Sequence, residues 1–273
     1  MRRTIMLWIA AFIITAATAI YQRVTGPTYP ISGKINFAGE IINYKFLRTH
    51  EGNTKHTVEI EVPEGIEGKL VWKRFKSYDQ WTIVNMIRNG KKLTASFPGQ
   101  PAAGKIIYYV KLINGNQQLD LPATKNVVLR FKGPVPTFIL IIHVFAMFGA
   151  MLLSTRTGLE IFNSKDSLLK LTYWTIGFLF VGGLILGPIV QKYAFDAYWT
   201  GFPFGYDLTD NKTAIALVAW VIALVGYKKS KNPKRIALIA AIVLLLVYLI
   251  PHSVLGSEID YTKTNKNISS IIK

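Results

Sequence analysis

Five separate apolar runs constrain the fold of this chain more than any other feature of its sequence. They extend from Ile5 to Ile20, Phe138 to Leu153, Leu168 to Val190, Thr213 to Val225 and Ile236 to Ile250. A helix of about 20 apolar residues spans the roughly 30 Å hydrocarbon core of a bilayer. The third run has this length by itself, and the last two reach it with Leu208 and Val254-Leu255 at the interface. The pattern predicts an α-helical membrane protein with about five transmembrane helices.

The first run has two interpretations. It follows Arg2 and Arg3, and Ala17-Thr18-Ala19 has the small-x-small form of a signal-peptide cleavage site. The run also suits an uncleaved transmembrane anchor, which is the interpretation we favour. Under either interpretation, the segment that follows is expected outside the cytoplasm.

A short basic loop predicts the orientation. The eight residues from Lys228 to Arg235 include five positive charges, and short loops of this kind stay in the cytoplasm. Counting spans from this loop places Ser154 to Ser167 in the cytoplasm as well. The region between the first two spans, the loop Gln191 to Lys212 and the C-terminus are then extracytoplasmic.

The region between the first two spans has a twofold period. Thr57 to Val62 alternates polar and apolar residues, and Lys69 to Phe75 and Lys105 to Leu112 follow the same pattern, which is typical of half-buried strands. Asn89-Gly90 and Asn114-Gly115 predict hairpin turns. Roughly seven to nine short strands are expected here, which predicts an extracytoplasmic antiparallel β-sandwich.

Part of this region resembles a known module. Lys69 to Ile113 contains a tryptophan strand with Trp72, the Asn89-Gly90 turn and a strand with Tyr108-Tyr109. In these features it resembles an immunoglobulin-like or fibronectin-type domain. The resemblance implies a fold class and no particular ligand.

The sequence therefore divides into four segments. They are an N-terminal anchor or signal segment (1–26), a β-sandwich domain (27–133), a helical membrane domain (134–255) and a C-terminal extracytoplasmic tail (256–273). Within the membrane domain, the spans are expected at about residues 136–153, 168–190, 210–227 and 235–253.

Several short segments carry a second resemblance. They are Tyr21 to Pro30, Arg48-Thr49-His50, Trp199 to Thr213, Pro251-His252-Ser253 and Gly256-Ser257-Glu258. In these segments the chain resembles an uncharacterised family of bacterial multi-span envelope proteins. The resemblance implies a bacterial origin and location in the cytoplasmic (inner) membrane, and it implies no chemistry.

Composition narrows the function classes. The chain has no cysteine, which excludes disulfides, thiolate metal sites, iron–sulfur clusters and cysteine nucleophiles. Its formal net charge is +17, and part of this charge flanks the apolar runs, where it sets orientation and contacts anionic lipid. We therefore expect the lipid bilayer and other envelope proteins as partners, and no nucleic acid.

The candidate site lies at the predicted outer membrane face. The ionisable or aromatic residues expected to meet there are His143, Asp196, Trp199, Asp207, Asp210, His252, Glu258 and Asp260. The carboxylates suit a hard cation, although we favour Asp207 or Asp210 as the cap of the following helix. His143 and His252 suit a haem or divalent-metal site or a proton relay, and a structural cluster that pairs these groups is the alternative.

Two further features of the sequence were considered as sites. Gly182 to Pro188 contains a Gly-x-x-x-Gly pattern, which predicts close helix packing or, alternatively, a discontinuous transport helix. His50 and His56 lie too far apart in sequence to suggest a metal site.

No catalytic motif stands out: the chain has no nucleophile elbow, P-loop or zinc motif. The leading hypothesis is a non-enzymatic envelope protein whose outer β-domain binds a partner or ligand, with the helices as an anchor or complex subunit. One alternative is a membrane redox or metal-handling protein that uses His143 and His252. A further alternative is a small transporter.

Overall fold

The chain divides into two compact units. A computed structural model describes residues 2–163, 167–252 and 254–263. Of these residues, the helical unit comprises those in the ranges 2–27 and 135–257, and the β unit comprises 28–134 and 258–263. Residues 258–263 of the expected C-terminal tail (256–273) thus belong to the β unit.

The helical unit consists of long apolar helices. They are α1 (Arg2–Thr25), α2 (Thr137–Gly158) with a 3-10 turn (Leu159–Phe162), α3 (Leu168–Leu179), a π-helical segment (Phe180–Leu186), α4 (Gly187–Phe195), α5 (Leu208–Lys229) and α6 (Pro233–Leu249). Within the described residues, four helices are long and apolar enough to cross a membrane: Arg2–Thr25, Thr137–Phe162, Leu168–Phe195 and Leu208–Lys229. The remaining helix, α6, has 17 residues and a length of about 26 Å.

Helix α2 lies at the centre of this unit. It packs against α1, α3 and α6, and α6 packs in turn against α5. Small residues allow the helices to approach closely. A Cβ at Gly149 of α2 would lie 2.6 Å from the Phe178 ring of α3, and a Cβ at Gly158 would lie 2.5 Å from Ala241 Cβ of α6. The glycines of α2 are therefore packing positions.

The Gly-x-x-x-Gly segment is helical but irregular. Phe180 to Leu186 forms π-helix, in which the N–H of Gly187 bonds to the carbonyl of Gly182. Pro188 lies in the first turn of α4, where a proline is tolerated because an N–H at this position is not needed for the helix. A Cβ at Gly183 would overlap Thr213 of α5. The structure thus combines close packing with an unbroken helical path through this segment.

The β unit contains, within the described residues, eleven strands. They are β1 (Ile31–Phe37), β2 (Glu40–Phe46), β3 (Thr49–Glu51), β4 (His56–Glu61), β5 (Glu67–Arg74), β6 (Thr82–Asn85), β7 (Ile87–Asn89), β8 (Lys92–Phe97), β9 (Lys105–Asn114), β10 (Gln117–Leu121) and β11 (Val127–Lys132). One sheet has the order β3-β11-β9-β5-β6, with β10 also paired to β9. The strands β4-β8-β7 form a second sheet, and β1-β2 form a two-stranded sheet.

Most strand pairs are antiparallel, as expected. The pair β3-β11 is parallel, which corrects the expectation of a purely antiparallel domain. These two strands are distant in the chain, since β11 is the last strand of the unit. Gly90 and Gly115 have φ of +60° and +56° and turn β7 into β8 and β9 into β10. Both predicted hairpins are therefore confirmed.

Alternation produces a single core in the β unit. In β9, every second residue from Ile106 to Leu112 is buried. Buried residues of all three sheets, among them Phe46 of β2 and Val58 of β4, belong to one hydrophobic cluster. Sheets that share one core in this way are typical of a β-sandwich. The resemblance to immunoglobulin or fibronectin modules stays a prediction.

Candidate functional site

One end of the helical unit brings together four of the eight predicted site residues, and its loop carries two more on its surface. This loop end consists of the C-terminal ends of α1 and α6, the N-terminal end of α5 and the loop 196–207. Gln22 of α1 donates to the carbonyl of Tyr248 at 2.6 Å, which places α1 beside α6 at this end. His143, Asp207, Asp210 and His252 all lie there.

Asp210 holds the loop against the first turn of α5. Its carboxylate is buried, and Oδ2 accepts hydrogen bonds from the backbone N–H groups of Thr200 (2.6 Å) and Gly201 (2.9 Å) and from Gln191 Nε2 (3.2 Å). Gly201 permits this approach, because a Cβ there would lie 2.6 Å from Asp210 Cβ. The carboxylate thus satisfies three donors that burial would otherwise leave unpaired.

Asp207 caps α5 and ties the chain after α6 to the same loop. Its Oδ1 accepts from the N–H of Thr209 at 2.8 Å, so the capping interpretation is confirmed for this residue. Its Oδ2 accepts from the N–H of Ser257 (2.9 Å) and from Thr200 Oγ1 (3.2 Å). We call Gln191, Thr200, Asp207, Asp210 and Ser257 the loop cluster.

The loop cluster is a closed hydrogen-bond network. Thr200 Oγ1 lies 2.8 Å from Ser257 Oγ and 2.7 Å from Gln191 Nε2, so its hydroxyl bridges the side chains around it. Both oxygens of Asp207 and Oδ2 of Asp210 accept hydrogen bonds from protein donors. Among the described residues, no three side chains of His, Asp or Glu are arranged to hold a metal ion. This geometry supports a structural role, in which the loop cluster holds the loop 196–207 in place as a lid on this end of the helical unit.

Lys212 is a buried cation that sequence reasoning missed. It is 3% exposed, its Nζ donates to the carbonyl of Ile250 at 2.8 Å, and it lies 5.9 Å from the centre of the Tyr248 ring. The only signal for it was a lysine directly before an apolar run. The Lys212 ammonium thus supplies a hydrogen-bond donor and a positive charge to a carbonyl that has no partner within the helix at the end of α6.

The two histidines of the predicted site lie near this cluster. His143 Nδ1 bonds to the carbonyl of Gly182 at 3.0 Å, and because a carbonyl only accepts, Nδ1 carries the proton. His252 lies within electrostatic range of Lys212, His143 and Asp207. This hydrogen bond connects α2 to the π-helical segment, and Nε2 of His143 takes no part in it.

Asp196 and Trp199 lie on the surface of the loop. Asp196 adopts a left-handed conformation (φ 61°) at the end of α4 and accepts from Lys192 Nζ at 2.7 Å, with its side chain 81% exposed. This ion pair lowers the pKa of Asp196. Trp199 Nε1 donates to the carbonyl of Phe202 at 3.1 Å. Both residues shape the loop and take no part in the loop cluster.

The side chains of Glu258 and Asp260 have partners in the β unit, to which both residues belong. Glu258 forms ion pairs with Lys105 (2.5 Å) and Lys76, and Asp260 accepts from the N–H of Thr262 at 3.0 Å. The expected grouping of these two residues with the other six stays a prediction. The sequence could not reveal the ion pairs of Glu258, because Lys76 and Lys105 are distant in the chain.

The Glu258 ion pairs are partly buried. Burial would raise the pKa of Glu258, but the hydrogen bonds from Lys105 and Lys76 together outweigh burial and lower it. Burial lowers the pKa of Lys105, and Glu258 offsets part of that effect. Tyr261, which follows, is 7% exposed and donates its hydroxyl to Gln100 Oε1 at 2.9 Å. The segment 258–263 is therefore an integral part of the β unit.

A groove in the β unit was not foreseen from the sequence. It has a volume of about 420 Å³ and runs between β2 and β4. Within the described residues, β2 pairs only with β1 and β4 only with β8, so each strand has one edge without a strand partner. Phe46, Val58, Ile60 and Tyr108 contribute its apolar lining, and Lys45, Glu59 and Lys92 contribute charges.

A histidine pair lies at one end of this groove. His56, which lines the groove, is buried, and its Nδ1 lies 3.2 Å from Nδ1 of His50. Burial and, to a smaller extent, the neighbouring His50 lower the pKa of His56 to about 4. The turn between β3 and β4 brings the two rings together, so the separation of His50 and His56 in the sequence did not predict their distance in the structure.

The fold defines a class of protein that combines a unit of potential membrane-spanning helices with a β-sheet unit. Comparison of the chain with models of known protein families, with curated proteins and with solved structures found no match.

Proposed function

We propose that this chain is a non-enzymatic binding protein of the bacterial envelope, in which the helices anchor a β unit that takes up an extended polypeptide segment. The observation that carries the proposal is the groove between β2 and β4. It is bounded by two strand edges that have no strand partner among the described residues. A peptide strand is the ligand that satisfies such edges, because its own N–H and C=O groups match theirs.

The side chains of the groove set the expected peptide pattern. The buried side chains of Phe46, Val58 and Ile60 belong to the core below, so the inward side chains of a bound strand would be apolar. At the rim, Lys92 Nζ lies 3.5 Å from Glu59 and 3.9 Å from Glu61. Exposed ion pairs of this kind are weak and can rearrange when a peptide binds. We therefore propose that the outward side chains of the bound peptide are polar, and that positive and negative charges are both accepted.

The proposed location follows from charge and helix order. We propose that the basic loop 228–235 lies in the cytoplasm. The chain then crosses the membrane five times, with α6 as the fifth crossing, and the β unit and the C-terminus lie outside the cytoplasm. Two features support this arrangement. Lys234 Nζ donates to the carbonyl of Asn163 at 2.6 Å, so the two proposed cytoplasmic loops meet, and α6 packs against α2 and α5 in the same bundle.

Binding of a defined peptide tests the proposal. The full chain in nanodiscs is titrated with an acetylated heptapeptide that alternates valine and threonine and ends in lysine, and with the same peptide N-methylated at alternate residues. We expect saturable binding of the first peptide and at least tenfold weaker binding of the second, because N-methylation removes the donors that pair with an edge strand. Equal binding of both peptides, or of neither, would contradict strand addition.

Two substitutions on β2 locate the binding site. Asn43 and Ile41 both have exposed side chains on this strand, and only Asn43 lines the groove. Asn43→Trp should block the peptide, whereas the matched control Ile41→Trp should leave binding unchanged. If the peptide instead binds both variants equally, it lies elsewhere. A peptide-free dimer that Asn43→Trp dissociates would assign the groove to a second copy of this chain.

A further inference from the structure

The second cavity of interest lies within the helical unit, at the end opposite the loop end. It has a volume of about 510 Å³ and is lined by residues of α1, α2 and α3, among them Trp8, Leu153, Lys170, Leu171, Trp174 and Phe178. This volume falls within the roughly 300–1,000 Å³ typical of small-molecule sites. More than half of the lining residues are apolar or aromatic, and one of them is a lysine.

Lys170 gives the cavity a positive charge. Its side chain is exposed, and it forms no ion pair with any described residue. The neighbouring Arg156 also lines the cavity, but its Nη1 bonds to Glu160 at 2.5 Å, and both side chains are almost fully buried. Arg156 and Glu160 therefore cancel in charge, and Lys170 is the cation that remains for a ligand.

Arg156 nevertheless shapes the cavity. Its guanidinium lies 5.6 Å from the centre of the Trp8 ring, which holds α1 beside α2. Its Nε is buried and bonds to no described residue, which is costly unless an acceptor approaches. Trp8 and Trp174 are 36% and 54% exposed, and such side chains favour the interface between headgroups and acyl chains.

We propose that this cavity binds one phospholipid with an anionic headgroup, whose phosphate contacts Lys170 and whose acyl chain lies against Trp8, Leu153 and Trp174. Charge complementarity selects the headgroup, and the apolar lining selects a lipid over a free anion. The site is independent of the peptide groove, which belongs to the other unit. It would tie the packing of α1 against α2 to the lipid composition of the membrane.

Fluorescence quenching tests the proposal. The full chain in detergent micelles is titrated with phosphatidylglycerol or phosphatidylcholine that carries brominated acyl chains, which quench nearby tryptophans. We expect stronger quenching by phosphatidylglycerol, and Lys170→Ala should weaken its binding about fivefold, the ratio that corresponds to about 1 kcal/mol for one lysine near an anionic surface. The control Lys231→Ala, an exposed lysine of the basic loop, should have no effect.

A second pair of variants tests the cavity itself. Leu152 and Leu153 are adjacent and both half-buried, and only Leu153 lines the cavity. Leu153→Trp should abolish the preference for phosphatidylglycerol, and Leu152→Trp should preserve it. Equal quenching by both lipids, or an unchanged preference in Lys170→Ala and Leu153→Trp, would overturn the site. Complete displacement of the lipid by inorganic phosphate would overturn the lipid assignment in favour of a free anion.

Discussion

Glu258 forms an ion pair with Lys105 of β9, with 2.5 Å between Oε2 and Nζ, although 153 positions separate the two residues in the chain. Lys105 is 13% and Glu258 22% exposed. The pair belongs to the β unit, and so do the contacts of Tyr261 with Gln100 and with Arg74. The described residues after 257 therefore belong to a unit whose first strand begins more than two hundred residues earlier.

Glu258→Gln should destabilise the β unit by about 2 kcal/mol, because it leaves the buried Lys105 ammonium without a charged partner. The free energy of unfolding is measured by denaturant titration of the full chain, with hydrogen exchange of β9 assigning the loss to this unit. The control is Glu59→Gln, whose pair with Lys92 is exposed on both sides. An equal loss of unfolding free energy in both variants would show that the Glu258–Lys105 pair contributes no more than an exposed ion pair.

Asp210→Ala should destabilise the loop end of the helical unit by about 3 kcal/mol. The change leaves the N–H groups of Thr200 and Gly201 and the Gln191 amide without their shared acceptor, and each unpaired buried donor is costly. Thermal unfolding in detergent measures the loss, and proteolysis reports release of the loop. The control is the exposed Asp196→Asn, since asparagine tolerates the left-handed conformation of this position, and it should change stability by less than about 0.5 kcal/mol. Intact protease resistance in Asp210→Ala would contradict the role of the loop cluster as a lid.

Gly149→Ala and Gly183→Ala should each cost about 1–3 kcal/mol, because the added methyl meets the Phe178 ring or Thr213 in a packed interface. The matched control is Gly177→Ala in α3, where a Cβ meets nothing within 4 Å. That change should be neutral or stabilising, since alanine favours helix over glycine. The thermal midpoint in one detergent compares the three variants, and a loss in Gly177→Ala as large as in the others would argue against packing as the cause.

Stability of the β unit should fall as the pH drops below 6.5. His56 has its pKa lowered to about 4 in the folded chain, first by burial and then by His50, so the unfolded chain binds the proton more readily. The stabilisation is complete above pH 6.5 and is lost progressively down to pH 4, with about 2 kcal/mol lost by pH 5. His56→Phe should flatten denaturation midpoints between pH 7 and 5. An unchanged slope in this variant would assign the effect to another group.

The proposed orientation is tested with single cysteines, for which the cysteine-free chain is a clean background. Tyr78 and Tyr206 are 69% and 89% exposed, and Lys231 lies in the basic loop. In intact cells an impermeant thiol reagent should label Tyr78→Cys and Tyr206→Cys and spare Lys231→Cys. All three should be labelled after lysis. The reverse pattern in intact cells would invert the proposed topology.

The sequence by itself determined the elements and their type. Apolar runs of sufficient length specify helices because a helix satisfies its own backbone, and alternation specifies strands because successive side chains point to opposite faces. Both properties are local, so β4, β5 and β9 and the Asn-Gly hairpins were predictable. The cap formed by Asp207 was predictable for the same reason, since it depends on the two residues that follow.

Only the tertiary structure decided which distant groups meet. Glu258 pairs with Lys105 and Lys76, His56 with His50, and Asp207 with Ser257, and none of these partners has a spacing that a periodic pattern encodes. The groove between β2 and β4 likewise depends on which strand edges remain unpaired after the sheets have formed. Such pairings follow from the packing of whole elements around a shared core, where geometry and the cost of unpaired buried groups select the partner.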